Sequence, residues 1–162
     1  MDTDAAAFAE FYSSTSDDCL RVVLATVRDR QIAEDLVAEA FARAWASWHK
    51  VSRHPAPRAW VVRTAMNAHH SWWRRRQREV IVAEVDEAVT QPPAEPADGR
   101  LMAAVLRLPL RQRQVIACRL FLDLDTAQTA VAIGIAPGTV TAHLARGIAA
   151  LRGEFAHLTY KE

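Results

Sequence analysis

The sequence predicts an all-α protein, two small helical domains joined by a flexible linker, with the second a helix-turn-helix domain. Three observations carry this expectation. None of the five glycines precedes Gly99, and the first 88 residues hold only two prolines, Pro55 and Pro57, so little interrupts helix in the N-terminal part. The stretch VTQPPAEPADG, residues 89–99, carries three prolines and no apolar periodicity, as linkers do. On both sides of it apolar residues recur at helical spacing. The expected division is a first domain over 1–80, an acidic, proline-rich linker over 81–98 and a second domain over 99–162.

The elements follow in order. Residues 4–13 and 17–28 read as two amphipathic helices, with SDD at 16–18 as N-cap and first-turn acids of the second. A third helix over about 31–48 repeats Ile32, Leu36, Val37, Ala40, Phe41, Ala44 and Trp48 on one face, while Glu34, Asp35, Glu39 and Arg43 face elsewhere. The loop HKVSRHPAP ends it. A fourth helix starts at Pro57, a residue suited to the first turn, and runs to about Arg78. Its apolar face takes Val61, Val62, Ala65, Met66, Ala68, Trp72 and Trp73; Arg63, Asn67, His70, Arg74 and Arg78 form a stripe on the other side. Both tryptophans are therefore expected in the core, where Trp73→Ala would cost about 3–5 kcal/mol. Four more helices are expected over 99–107, 109–121, 125–132 and 137–154. The last two, with Gly134 in a tight turn between them and Pro137 opening the second, make a helix-turn-helix, whose second helix enters the major groove. Thr139, Thr141 and His143 lie on its expected exposed side.

The net charge of +1 hides a block pattern. Residues 1–50 carry five basic against nine acidic side chains, 51–80 seven against one, 81–100 one against five, and 101–162 seven against four. A solvated polar face mixes signs, but Glu79 is the sole acid among 51–80, which points the arginine stripe at a polyanion. No run approaches the roughly 18 apolar residues that cross a bilayer, and the N-terminus is acidic, so a cytoplasmic protein without membrane insertion is expected. Cys19 and Cys118 fit buried thiols. No Gly-rich phosphate loop, HExxH or spaced acid pair is present, and adjacent His69 and His70 project about 100° apart on a helix, so neither enzyme, metal nor cofactor is expected.

Four blocks in this order, AEDLVAEAFARAW (33–45), RAWVVRTAMNAHHSWWRRR (58–76), LPLRQRQVIACRLF (108–121) and TAQTAVAIGIAPGTVTAHLARGIAALR (126–152), resemble the extracytoplasmic-function group of the sigma-70 family. The resemblance implies a sigma factor that binds core RNA polymerase and directs promoter-specific initiation, recognising and melting the minus-ten element and binding the minus-thirty-five element. It implies polymerase contact at Asp35, Glu39 and Arg43, and minus-ten contact at Arg63, Asn67, His70, Arg74, Arg75 and Arg78, with a flipped base captured and phosphates held by the arginines after the tryptophans. Minus-thirty-five contact falls to Arg111, Arg119, Thr139, Thr141, His143 and Arg146. Promoter DNA, core polymerase and an anti-sigma protein are the implied partners. Members of the family often have Gln where this chain has Ala38, and a basic pair around a serine where it has TAH at 141–143. A LuxR-like helix-turn-helix regulator is the alternative; it predicts an N-terminal sensor domain.

Overall fold

The computed structural model describes residues 2–79 and 96–159. The expected linker over 81–98 lies outside the described residues except at its end, where a helix already begins at Pro96, three residues earlier than the sequence suggests. The described residues form eight helices: α1 (Asp2–Val27), α2 (Arg30–Ala46), α3 (Trp48–Val51), α4 (Pro57–Glu79), α5 (Pro96–Leu106), α6 (Leu110–Phe121), α7 (Thr126–Ile133) and α8 (Pro137–Thr159). The first four make one helical domain and the last four the helix-turn-helix domain.

One expectation fails at once. The segments 4–13 and 17–28 are not two helices but the single α1. Ser13 and Ser14 turn their hydroxyls back onto the carbonyls of Glu10 and Phe11, at 3.1 and 3.2 Å, which satisfies them without a break in the helix. Asp18 pairs with Arg21 one turn on instead of capping. The real break comes at Arg28, whose φ of +60° leaves the right-handed region; Asp29 then caps α2 by accepting from the Ile32 amide at 3.0 Å.

α1, α2 and α4 bury Val22, Val23, Leu36, Phe41, Val61 and Met66 among them, and Phe11, Phe41 and Trp48 meet as an aromatic cluster. In the second domain Asp125 and Gln128 form a reciprocal capping box at the start of α7. Gly134 ends α7 in the left-handed conformation with φ +70°, the turn expected from the sequence, while Val115, Ala130, Ile133 and Val140 close a small core beneath it. Helical spacing in the sequence gives α7 an apolar set of Ala127, Ala130, Val131 and Ile133; in the structure Val131 and Ala127 are exposed, and Thr129 and Ala132 are buried with Ala130 and Ile133.

The two domains are packed together, α1 against α6 and α4 against α7. Their main cores merge into one cluster that includes both cysteines, free and buried. Burial pushes each thiol up to about 12, so both are inert as nucleophiles in this arrangement.

Candidate nucleic-acid interface

The interface is built mainly on α4. Its first three turns are held by the domain core through Ala59, Val61, Val62, Ala65 and Met66. Every residue from His70 to Arg78 is exposed, so the helix overhangs its domain by more than two turns. Trp72 and Trp73 do lie on the azimuth of the buried face, as expected, but among the described residues no helix covers that azimuth here, and they are 36% and 37% exposed. The assignment of the tryptophans to the core is therefore corrected: the face persists in sequence after its partner helices have ended.

What the overhang holds is an ordered aromatic step. Trp72 and Trp73 meet edge to face at 5.7 Å, His69 lies nearly parallel to Trp72, and the Arg76 guanidinium sits 4.9 Å from the Trp72 ring centre. Burial, and then the neighbouring His70, holds His69 below the usual histidine range, which favours the neutral ring. Arg74, Arg75 and Arg78 are exposed around this step.

Further back along the same stripe, Trp60, Thr64 and Asn67 recur at i, i+4 and i+7 and line an open cavity of about 350 Å³, closed on the other side by Arg43, Ala46 and Ser47 of the α2 end. Sequence reasoning found Asn67 but not Trp60, Thr64 or Ser47; the helical spacing of the three α4 residues was the available signal. Arg43, assigned to polymerase contact, reaches the same cavity as Asn67. Arg63, at the start of the stripe, is half-buried: its guanidinium fills the space beside the Gly134 Cα into which any side chain there would project.

Asp35, Glu39 and Arg43 line one exposed face of α2 at four-residue spacing, with Asp35 accepting from Gln31 and Glu39 paired with Arg43. In the second domain α8 buries Val140, Gly147 and Leu151, which places Thr139, His143 and Arg146 together on one flank and Thr141 on the other. Thr139, Thr141 and Arg146 are exposed. His143 is only half so, its Nδ1 shielded with no partner among the described residues. Arg111 is exposed near the start of α6, bonded to Gln114 at 3.1 Å, whereas Arg119 is half-buried and donates to the Leu124 carbonyl at 3.0 Å. Arg119 thus already has structural work, holding the loop before α7.

Comparison with known proteins agrees with this layout. Residues 11–79 match sigma-70 region 2, and residues 98–151 match sigma-70 region 4. The chain is 32% identical over 154 residues to the RNA polymerase sigma-E factor of Streptomyces coelicolor, covering 91% of this chain and 85% of that protein. It is 30% identical over 157 residues to the ECF RNA polymerase sigma factor SigL of Mycobacterium tuberculosis, covering 92% and 89%. Among solved structures, the sigma factor RpoE in complex with the anti-sigma factor NepR from Bartonella quintana superposes with a TM-score of 0.71 at 21% identity, covering 96% of this chain and 99% of that one. CnrH in complex with the cytosolic domain of CnrY gives 0.62 at 18% identity, covering 98% and 91%.

Proposed function

The chain belongs to the extracytoplasmic-function group of the sigma-70 family, and from that premise we propose how its surfaces divide the work. It binds core RNA polymerase and directs promoter-specific initiation. The single observation that carries this is the presence, in one chain and in family order, of a region 2 domain with an overhanging arginine-rich helix and a region 4 helix-turn-helix. A LuxR-like regulator is not retained, because the N-terminal half is region 2 and not a sensor domain.

In this division the exposed Asp35–Glu39–Arg43 face of α2 docks on polymerase. The cavity beside Asn67 accepts an unpaired base of the minus-ten element, its edge read by Asn67 and the Arg43 side, and the overhang binds the adjoining backbone through Arg74, Arg75 and Arg78. Trp72 and Trp73, exposed beside these cations, add a stacking surface for the opened strand. Thr139, His143 and Arg146 form the base-reading flank for the minus-thirty-five element; Arg111 holds phosphate, and Arg119 supports the loop that presents the helix. An anti-sigma protein is proposed as a further partner, since both structural neighbours were solved with one or with a cytosolic partner domain. Domain limits of 1–80 and 99–162 around the linker accompany this reading.

Run-off transcription on genomic fragments, with core polymerase alone and with this protein added, tests it. New start sites that depend on the protein support the function; identical transcript profiles overturn it.

A further inference from the structure

The overhang of α4 has a divided cross-section that strand binding alone does not explain. At about 100° per residue, His69, Trp72, Trp73 and Arg76 share one sector, the continuation of the buried Ala65 and Met66. Asn67, Arg74 and Arg78 lie roughly opposite, with His70 and Arg75 on the two flanks. Among the described residues nothing covers this stretch, since 70 to 78 are exposed throughout. Arg76 keeps its charge inside the aromatic sector by holding its guanidinium 4.9 Å from the Trp72 ring centre. From His70 to Arg78 the segment holds four arginines and no acid, so its charge complements an anionic partner. The indoles decide the form of that partner. Each has an apolar body and a single N–H donor, the combination that settles where lipid headgroups meet acyl chains. A helix with aromatics on one side and arginines around the rest lies in the plane of that boundary. A single strand covers one side of a helix at a time, whereas a planar surface takes the aromatic sector together with Arg75 and Arg76. The end-standing position suits this, because an overhang of more than two turns reaches a flat surface clear of the domain body.

We propose that the α4 overhang, from His69 to Arg78, is a peripheral membrane-binding element whose occupant is an anionic lipid surface. Trp72 and Trp73 sink to the level of the headgroups, and Arg75 and Arg76 hold lipid phosphates beside them, their stems lying along the apolar sector. Contact is confined to the interface: among the described residues no helix is long and apolar enough to cross a membrane. Trp72, Trp73 and Arg75 also serve the opened promoter strand in the division of surfaces above. Lipid and strand therefore exclude each other, and a chain held on a membrane is withheld from promoters. That exclusion rests on the sigma-factor reading; the lipid contact does not, and the test separates them.

The full chain is mixed with vesicles of phosphatidylcholine alone and of phosphatidylcholine and phosphatidylglycerol in equal parts, and read by co-sedimentation and tryptophan emission. Wild type is expected to pellet with the anionic vesicles only and to shift its emission to the blue. Arg75→Ala/Arg76→Ala is expected to bind them roughly 25-fold more weakly, at about fivefold per cation near an anionic leaflet. Trp72→Ala/Trp73→Ala is expected to bind more weakly and to lose the blue shift, with circular dichroism checking that each variant keeps its helical content. Equal binding to both kinds of vesicle, binding to neither, or binding that either variant leaves intact overturns the proposal. An excess of oligothymidylate is then added to wild type on anionic vesicles. Release supports the exclusion; binding undisturbed by the strand overturns it and leaves the lipid contact standing. Failure of the run-off transcription test removes the sigma-factor reading without altering the vesicle result.

Discussion

At the scale of single residues, the surface charges and the structural charges separate cleanly. Asp35 and Glu39 are exposed, and the Glu39–Arg43 pair is a surface i,i+4 contact whose loss costs only about 0.3–0.5 kcal/mol. Asp35→Lys combined with Glu39→Lys is therefore expected to leave the melting temperature almost unchanged and to abolish co-purification with core polymerase; retention of normal co-purification would remove this face from the docking surface. Arg111 and Arg119 are expected to diverge. Arg111→Ala should lower the salt slope of promoter binding by about one unit at unchanged stability. Arg119→Ala should cost roughly 1–2 kcal/mol of stability because the Leu124 carbonyl loses its donor, readable in urea unfolding. A third test at this scale is Gly134→Ala. Its φ of +70° and the Arg63 guanidinium beside it both oppose a side chain, so a loss of at least about 1 kcal/mol is expected by the same measurement. The sequence announced this glycine through its place between two apolar helices. It did not announce Arg63 as its neighbour, since the two are adjacent only after the domains dock.

At the scale of elements, α4 is the informative case. Its periodicity was readable over all 23 residues and its start and end agree with the sequence, yet burial stops near Met66. Periodicity reports which residues share a face. It does not report how far the partner helix extends along that face. For this reason the expected loss of about 3–5 kcal/mol for Trp73→Ala is replaced: the change should alter stability by less than about 0.5 kcal/mol, as for other exposed sites. Strand opening should suffer instead, seen as weaker permanganate reactivity of thymines around the minus-ten element in complexes that still assemble. Asn67→Ala is expected to give the same defect by emptying the cavity edge, and Arg74→Ala a defect relieved at low salt, since its share is counterion release. If Trp73→Ala melts well below wild type, the overhang is packed in solution and its stacking role falls.

At the scale of the whole molecule, the shared core makes the two domains one thermodynamic body. Cys19 of α1 and Cys118 of α6 belong to the same buried cluster although they come from different domains. Thermal unfolding of the free chain is expected as a single cooperative transition, with calorimetric and van't Hoff enthalpies equal. Arg58→Ala/Arg113→Ala, which removes bonds from each domain to backbone carbonyls of the other, should split it into two. A wild type that already unfolds in two steps would show that the domains do not support each other.

The sequence by itself determined the helices of both domains apart from the joined α1 and the short α3, which it read as the end of one helix and a loop, together with the turn glycine of the helix-turn-helix, the basic stripe and the family. All of these depend on residues within about one or two helical turns of each other, where spacing and cap chemistry act locally. Only the tertiary structure decided which tryptophans are covered, that Arg43 shares a cavity with Asn67, and that Arg28, Arg58 and Arg113 cap helices of the opposite domain. Those bonds join residues 64 to 88 positions apart. An arginine's donors are satisfied by whatever carbonyl the fold brings within reach, and no local pattern encodes which one that is.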